Sequence, residues 1–428
     1  MSWSLLAMIV CFLLLMVIGL PIAYNLIVTT LVYSLVAGFD PIQMAIKMYG
    51  GMNSFSFLAV PFFVLTGQLM LRGGLLESLI KFVNAWFGRF KGAIAIVTIG
   101  ASLLMGSIVG LAVASAASLG AFLIPMMKKE GYAAPFAAAV MSSASLLGPI
   151  MPPSVLMILY CTAVGKTSIT GIFMSAVTPA ITIAVLQCLV AHHVAKKRNY
   201  PSYGKTTLAE KGKATATAIP ALLLPVIILG GIYGGIFTPT EAAAVAAAYG
   251  FIVGVFVYKE IKICDIFNVI RSGVLTTSTI MIVIGCAAVF TKVLAVEKIP
   301  TAVADLIVGL NANKIVILIL INVVLLFVGC FMETLCAIMI LAPIFLPIVT
   351  AVGVNPVHFG IIMVVNLAIG FITPPLGINL FVASRVGKAQ LSEVIQGIIP
   401  FIVVMIVDLL LITYIPAIST FLPNLFMK

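Results

Sequence analysis

Two double prolines interrupt long apolar runs in this sequence, Pro152 and Pro153 within SSASLLGPIMPPSVLMILY and Pro374 and Pro375 within VVNLAIGFITPPLGINLFV. Proline has no amide N–H and clashes with the turn before it, and the residue preceding it avoids the helical region. Gly148 to Pro153 and Gly370 to Pro375 must therefore each unwind a helix. An unwound stretch bares carbonyl oxygens on one side and opens a helix N-terminus on the other. Bare carbonyls suit a hard cation such as Na⁺, and the positive end of a helix suits a carboxylate. A single pair of this kind reads first as a kink; two in register, each following an apolar hairpin, point to a pair of binding sites.

The apolar stretches ahead of the prolines add polar atoms. GSIVGLAVASAASLG carries Ser107, Ser115 and Ser118, and GCFMETLC carries Gly329, Glu333 and Thr334. Small Ser and Gly residues also permit close helix packing, and that alternative stands for Ser115 and Ser118. Glu333 is different, because a carboxylate at bilayer depth is expensive and is usually kept for function. Glu241 and Asp408 are the other embedded acids; each could instead sit near an interface, cap a helix or pair with a lysine. Catalytic patterns are missing. VGKTS at 164 to 168 has Tyr160 where a phosphate loop needs its first glycine, and the adjacent His192 and His193 cannot face one ligand from a helix. With no GxSxG, no HExxH and no His or Cys cluster, the chemistry is binding rather than enzymatic.

The elements that position these residues follow from composition. Of 428 residues, 63% are hydrophobic and 8% charged, with a mean hydropathy of +1.29. A soluble domain needs about a quarter of its residues charged, whereas continuous apolar runs of bilayer length recur here from end to end. The chain is read as an all-α polytopic membrane protein embedded in the lipid bilayer. Its net charge of +11 does not signal nucleic acid, because the bases sit in short loops between apolar runs. The seven cysteines form no CxxC pair and read as packing thiols. The N-terminus has no basic region ahead of its apolar run, so no cleaved signal peptide is expected.

Residues 103 to 166 align without gaps on 325 to 388, an offset of 222 with 13 identities in 64 positions, six of them Gly or Pro. Recurring backbone breakers mean a shared architecture. The expected organisation is a first repeat at 1–205, a basic cytoplasmic linker at 206–213, and a second repeat at 214–428. Each repeat would hold five spans, scaffold helices among them, and one re-entrant hairpin, at 93–127 and 315–350, followed by a broken helix, at 133–165 and 355–387. Five is odd, so the halves would be inverted, with about ten transmembrane helices in all. With the N-terminus outside, 17 of the 23 Lys and Arg fall on the cytoplasmic side. The first hairpin then opens to the cytoplasm and the second to the opposite face. The segment 75 to 91 puts Leu76, Leu79, Ile80, Val83, Trp86, Phe87 and Phe90 on one face and is expected to lie along the membrane surface as an arm, the alternative being a helix packed in the bundle.

GLPIAYN, PFFVLTGQLM, GIFTPTEAAAVAAAYG, GCFMETLCAIMILAPIFLPI and GFITPPLGIN together resemble the large membrane subunit of tripartite ATP-independent periplasmic (TRAP) transporters, over nearly the whole chain. The resemblance implies an elevator-type, Na⁺-driven transporter in a bacterial inner membrane. Its substrate would be a small carboxylate delivered by a periplasmic binding protein, and a small four-helix membrane subunit would be its partner. Some members fuse that subunit ahead of the large one; a separate one is expected here. Carried over residue by residue, at least two Na⁺ sites would involve Ser107, Gly148, Met151 and Pro152 in one half and Gly329, Glu333, Gly370, Thr373 and Pro374 in the other. The substrate would lie between them, near Ser107, Ser145, Ser154, Thr334 and Asn379. Leu376 stands where the first repeat has Ser154, so the sites are unequal. No arginine lies at bilayer depth, so dipoles and hydroxyls would hold the carboxylate. Sialic acid is favoured as substrate, then a C4-dicarboxylate. A stand-alone carrier without a binding protein, or a channel, is the alternative.

Overall fold

A computed structural model describes residues 3–165, 167–202, 206–309 and 313–426. Among them every regular element is helical. Among the described residues eight helices are long and apolar enough to cross a bilayer, and Ala134–Ile150 with Val155–Val164, a pair bent by 45°, counts as a ninth if it forms one span.

The internal repeat is visible in the helix starts. Pro41 and Ile263, Ala112 and Thr334, Ala134 and Pro356, and Ile169 and Leu391 each open helices 222 residues apart, an agreement closer than the residue or two by which helix ends are usually defined. The hairpins are Ala93–Val109 with Ala112–Lys129, and Lys314–Phe331 with Thr334–Ala351. Gly110 turns the first in the left-handed region at φ 64°, which a side chain would resist. The second turns through Met332 and Glu333 in extended conformation. After the hairpins come the broken helices, Ala134–Ala144 with Leu147–Ile150 and Val155–Val164, and Pro356–Gly370 with Ile378–Gly387.

These broken helices are the core of the molecule. Every residue from Phe136 to Ala144 and from His358 to Gly370 is buried, against the hairpins and the long helices Ile169–Lys197 and Leu391–Tyr414. Tyr160 Oη donates to the carbonyl of Pro356 at 2.7 Å, tying one broken helix to the start of the other. Trp3–Ile18, Ile22–Ala37 and Leu208–Tyr233 keep many apolar side chains exposed, as a periphery in contact with lipid requires.

One feature adds to the sequence expectation and one differs from it. Pro41–Met52 is a helix, opened by the Asp40 side chain accepting the Ile42 N–H at 2.9 Å with Pro41 at the first position. It stops at Asn53, whereas its counterpart in the second half runs unbroken as Ile263–Val296. The arm, Leu75–Phe87, does not lay its whole apolar face on the membrane. Leu75, Leu76, Leu79, Ile80 and Val83 are buried against Leu208–Tyr233 and Ala93–Val109, and only Trp86, Phe87 and Phe90 remain exposed. Trp86 Nε1 donates to Thr215 Oγ1 at 3.1 Å, so a protein partner takes the place expected for headgroups.

Candidate binding site at the helix breaks

Each hairpin is seated on the break of the broken helix that follows it. Gly106 and Gly148 approach so closely that a Cβ on Gly106 would lie 2.7 Å from the Gly148 Cα, and one on Gly370 would lie 2.5 Å from the Gly329 carbonyl carbon. Glycine is needed at these positions because backbone meets backbone. At the first tip, Gly110 lies against Val155 and the Pro153 carbonyl, so the turn of the hairpin ends at the level where the spanning element is unwound. The Pro–Pro peptide is cis in both breaks.

The two breaks, where cations are expected, differ in exposure beyond Gly148 and Gly370, which are both buried. Gly148, Pro152 and Pro153 are buried and Met151 is half-buried, whereas Pro374, Pro375 and Leu376 are exposed. The first break is thus closed over and the second is open. Thr373 Oγ1 donates to the Ile369 carbonyl at 2.8 Å, which spends its proton and leaves lone pairs for a cation. Gly370 is required first for its contact with Gly329, and any cation role of its carbonyl comes second. Glu333 is half-buried at the N-cap of Thr334–Ala351, and its side chain makes no capping bond. The side chain of Ser107 lies outside the described residues.

Ser115 belongs with this set. Its Oγ is buried, has no hydrogen-bond partner among the described residues, and would sit 3.2 Å from a Cβ on Gly148. A buried hydroxyl without a partner costs about 1–3 kcal/mol, a cost that a ligand at the break would remove. Its sequence context of small residues reads equally as packing, so only the neighbourhood of Gly148 identifies it.

Of the residues expected to hold the substrate, Ser145 and Asn379 meet between the halves. Asn379 Nδ2 donates to Ser145 Oγ at 2.9 Å, although the two are 234 positions apart. Ser145 Oγ in turn donates to the Ser142 carbonyl at 2.8 Å, and Ser142 Oγ donates to the Asn379 carbonyl at 3.3 Å. All three are fully buried, and Asn379 Oδ1 has no partner among the described residues. That free atom is an acceptor, suited to a substrate hydroxyl or a cation rather than to a carboxylate oxygen. Ser154 is placed differently from the expectation. Its Oγ donates to the Pro149 carbonyl at 2.6 Å, closing the break on itself, so its proton is not aimed at a ligand. Thr334 is buried at the first turn of its helix.

A second polar constellation went unread in the sequence. Asn366 Nδ2 donates to Asn322 Oδ1 at 2.8 Å, Asn322 Nδ2 to Thr413 Oγ1 at 3.2 Å, and His358 Nδ1 lies 2.6 Å from Ser419 Oγ. The equivalents of Asn322, His358, Asn366 and Thr413 in the first half are Gly100, Phe136, Ala144 and Ala191, so the fold itself does not demand polar groups there. The signal available in the sequence was amides alone in apolar runs. The two ambiguous acids resolve into local roles. Glu241 accepts the Thr238 N–H at 2.8 Å in a capping box, and buried Asp408 accepts from Thr182 Oγ1 at 3.2 Å, joining two long helices. All seven cysteines are free, and the described residues hold no group of His, Cys, Asp and Glu able to bind a metal ion.

Comparison with known proteins decides the family. Residues 9–418 match the family described as the DctM component of the tripartite ATP-independent periplasmic transporter. The chain belongs to the DctM family of TRAP transporters. It is 40% identical over 96% of its length to the isethionate TRAP permease DctMQ of Oleidesulfovibrio alaskensis, of which it spans 65%. It is 40% identical to the C4-dicarboxylate TRAP large permease DctM of Pseudomonas aeruginosa, covering 89% of each chain. It is 36% identical to the sialic acid TRAP large permease SiaM of Vibrio cholerae, covering 96% of each. Among solved structures, the YdaH transporter of Alcanivorax borkumensis shares the fold with a TM-score of 0.62 at 18% identity over 86% of each chain. MtrF of Neisseria gonorrhoeae does so with a TM-score of 0.59 at 12% identity, over 89% of this chain and 85% of that one. This TRAP large permease is thus a multi-pass membrane protein and not an enzyme, and its family pairs such subunits with a small membrane subunit and a periplasmic binding protein.

Proposed function

We propose that this subunit carries a small organic anion inward across a bacterial inner membrane, driven by Na⁺, with the substrate held between the two helix breaks. The observation that carries the reading is the paired seating of Gly106 on Gly148 and Gly329 on Gly370. On this reading the two unwound stretches supply bare carbonyls for cations, and the buried Ser145–Asn379 contact joins the halves beside them. Alternating access follows as an elevator movement: hairpins and broken helices form one body, inverted between the halves and re-entrant, which slides against a frame of peripheral helices. The open second break and closed first break are what one end state of such a movement requires. Relatives named for isethionate and C4-dicarboxylate are 40% identical and one named for sialic acid 36%, so similarity does not favour sialic acid. The shared feature is a small organic anion, carboxylate or sulfonate, and that is the class assigned here. The partners on this reading are a small four-helix membrane subunit and a periplasmic binding protein.

The test is uptake into proteoliposomes containing both membrane subunits, with the binding protein and a radiolabelled organic acid outside. Uptake should need inward Na⁺ and ignore ATP. Equal uptake with K⁺ alone refutes the coupling, and full uptake without the binding protein refutes the tripartite reading.

A further inference from the structure

A deep apolar cleft lies away from the helix breaks. It has a volume of about 550 Å³ and opens between the arm Leu75–Phe87, the first hairpin helix Ala93–Val109 and the long helix Ile169–Lys197; Val83, Phe87, Leu103, Ala184, Cys188 and His192 line it. The walls are apolar and, Gly100 and Ala184 apart, built of bulky side chains. A partner helix in a membrane packs on flat faces of Gly, Ala and Ser, whereas these side chains stand around a hollow that a flexible hydrocarbon chain would fill.

One end of the cleft is strongly basic. His192 Nδ1 lies 2.9 Å from the Lys91 carbonyl, which can only accept, so Nδ1 carries the proton and Nε2 is left for a ligand. The Arg89 guanidinium sits 5.0 Å from the centre of the Phe90 ring, and Phe90 packs edge-on to His192 at 6.4 Å. Lys196 is one turn beyond His192 and exposed, as are Arg89 and Lys91. The segments 81–104 and 181–200, which supply most of the walls and the mouth, contain Lys81, Arg89, Lys91, Lys196, Lys197 and Arg198 and no acid. An apolar hollow ending in cations matches an amphiphile with a hydrocarbon tail and an anionic head. Basic pockets between transmembrane helices on the cytoplasmic side bind such headgroups.

We propose that the cleft binds one acyl chain of an anionic phospholipid from the cytoplasmic leaflet, with its phosphate against Arg89, Lys91 and Lys196. The site is independent of the substrate and cation assignments above. The arm and the first hairpin helix, packed on each other, form one side of the cleft and Ile169–Lys197 the other lining; the choice of leaflet rests on the orientation read from the basic loops.

The experiment uses the full chain with its small membrane subunit in phosphatidylcholine vesicles carrying a trace of spin-labelled phosphatidylglycerol or, separately, spin-labelled phosphatidylcholine. The immobilised fraction is read by electron spin resonance. Phosphatidylglycerol should be immobilised preferentially, and the double variant Arg89→Gln with Lys91→Gln, both exposed and safe for folding, should lower its relative affinity about fivefold per charge removed. Cys188→Trp, which fills the hollow, should abolish the preference even with the basic mouth intact. Equal immobilisation of the two lipids overturns the proposal. So does a preference that survives both variants, which would place the lipid elsewhere, or one that appears only when the small subunit is left out, which would make the cleft that subunit's seat.

Discussion

Asn379, at the start of a helix in the second half, donates its amide proton to Ser145, at the end of a helix in the first, across 2.9 Å of fully buried space. The bond joins the two repeats where both are unwound. Ser145 cannot donate to Asn379 in return, because its own proton is held by the Ser142 carbonyl. The direction of the amide is therefore fixed, and its oxygen is presented to the site.

Removing either partner should expose this coupling. Ser145→Ala leaves the Asn379 amide buried without its acceptor and should cost about 1–3 kcal/mol. The double variant with Asn379→Ala should cost less than the sum of the singles, by about 0.5–3 kcal/mol. Thermal unfolding in detergent measures both. The substrate concentration for half-maximal uptake should rise in Asn379→Ala and change less in Ser154→Ala, whose hydroxyl only closes its own break.

Gly370→Ala should fail in folding before it fails in Na⁺ binding. Its Cβ would meet the Gly329 backbone at 2.5–2.9 Å, and overpacking of this kind costs about 1–3 kcal/mol. This departs from a purely functional role for that glycine. Gly50→Ala, with nothing within 4 Å of the added Cβ, should be neutral or stabilising by a few tenths to about 1 kcal/mol. Comparing expression and melting temperature of the two variants checks the contrast.

Thr373→Ala should raise the Na⁺ concentration for half-maximal uptake several-fold while leaving the melting temperature nearly unchanged, since Thr373 is half-buried beside the open break. Thr373→Ser should restore most of the affinity, because the hydroxyl is the group that counts. Sodium titrations of uptake decide it; an unchanged half-saturation with normal maximal flux would place the cation elsewhere.

The amide pair of the second half should behave as a unit. Asn366→Ala alone leaves the Asn322 Oδ1 buried without its donor and should cost about 1–3 kcal/mol, whereas Asn322→Ala with Asn366→Ala removes both partners and should recover much of the loss. The first half already holds Gly100 and Ala144 at these positions, which supports the tolerance. Melting temperatures of the three variants give the answer.

Glu241→Gln should leave uptake unchanged, because glutamine also serves as the third residue of a capping box. Glu241→Ala should lower the melting temperature slightly and spare Na⁺ dependence. A shifted Na⁺ titration in Glu241→Gln would show a role beyond the cap.

The sequence alone determined the architecture, because its strongest signals are local and repeated. Apolar runs of bilayer length, prolines that must break helices, and an offset of 222 carrying the same breakers are properties of short stretches, and the helix starts at Thr334, Pro356 and Leu391 fall where that offset puts them. It also named Ser145 and Asn379, Gly148 and Gly370, since polar and small residues beside a broken helix are legible in one dimension. Tertiary structure decided what those residues touch. Whether Ser154 offers its proton outward or to Pro149, whether Gly370 is a ligand or a point of backbone contact, and whether Ser115 faces a neighbour or a void depend on how helices from different parts of the chain are set together. The arm shows the same limit, for an apolar stripe reads alike whether lipid or protein covers it. Hydrogen bonds and close contacts act over a few ångströms, and only the folded chain brings positions such as 145 and 379 within that range.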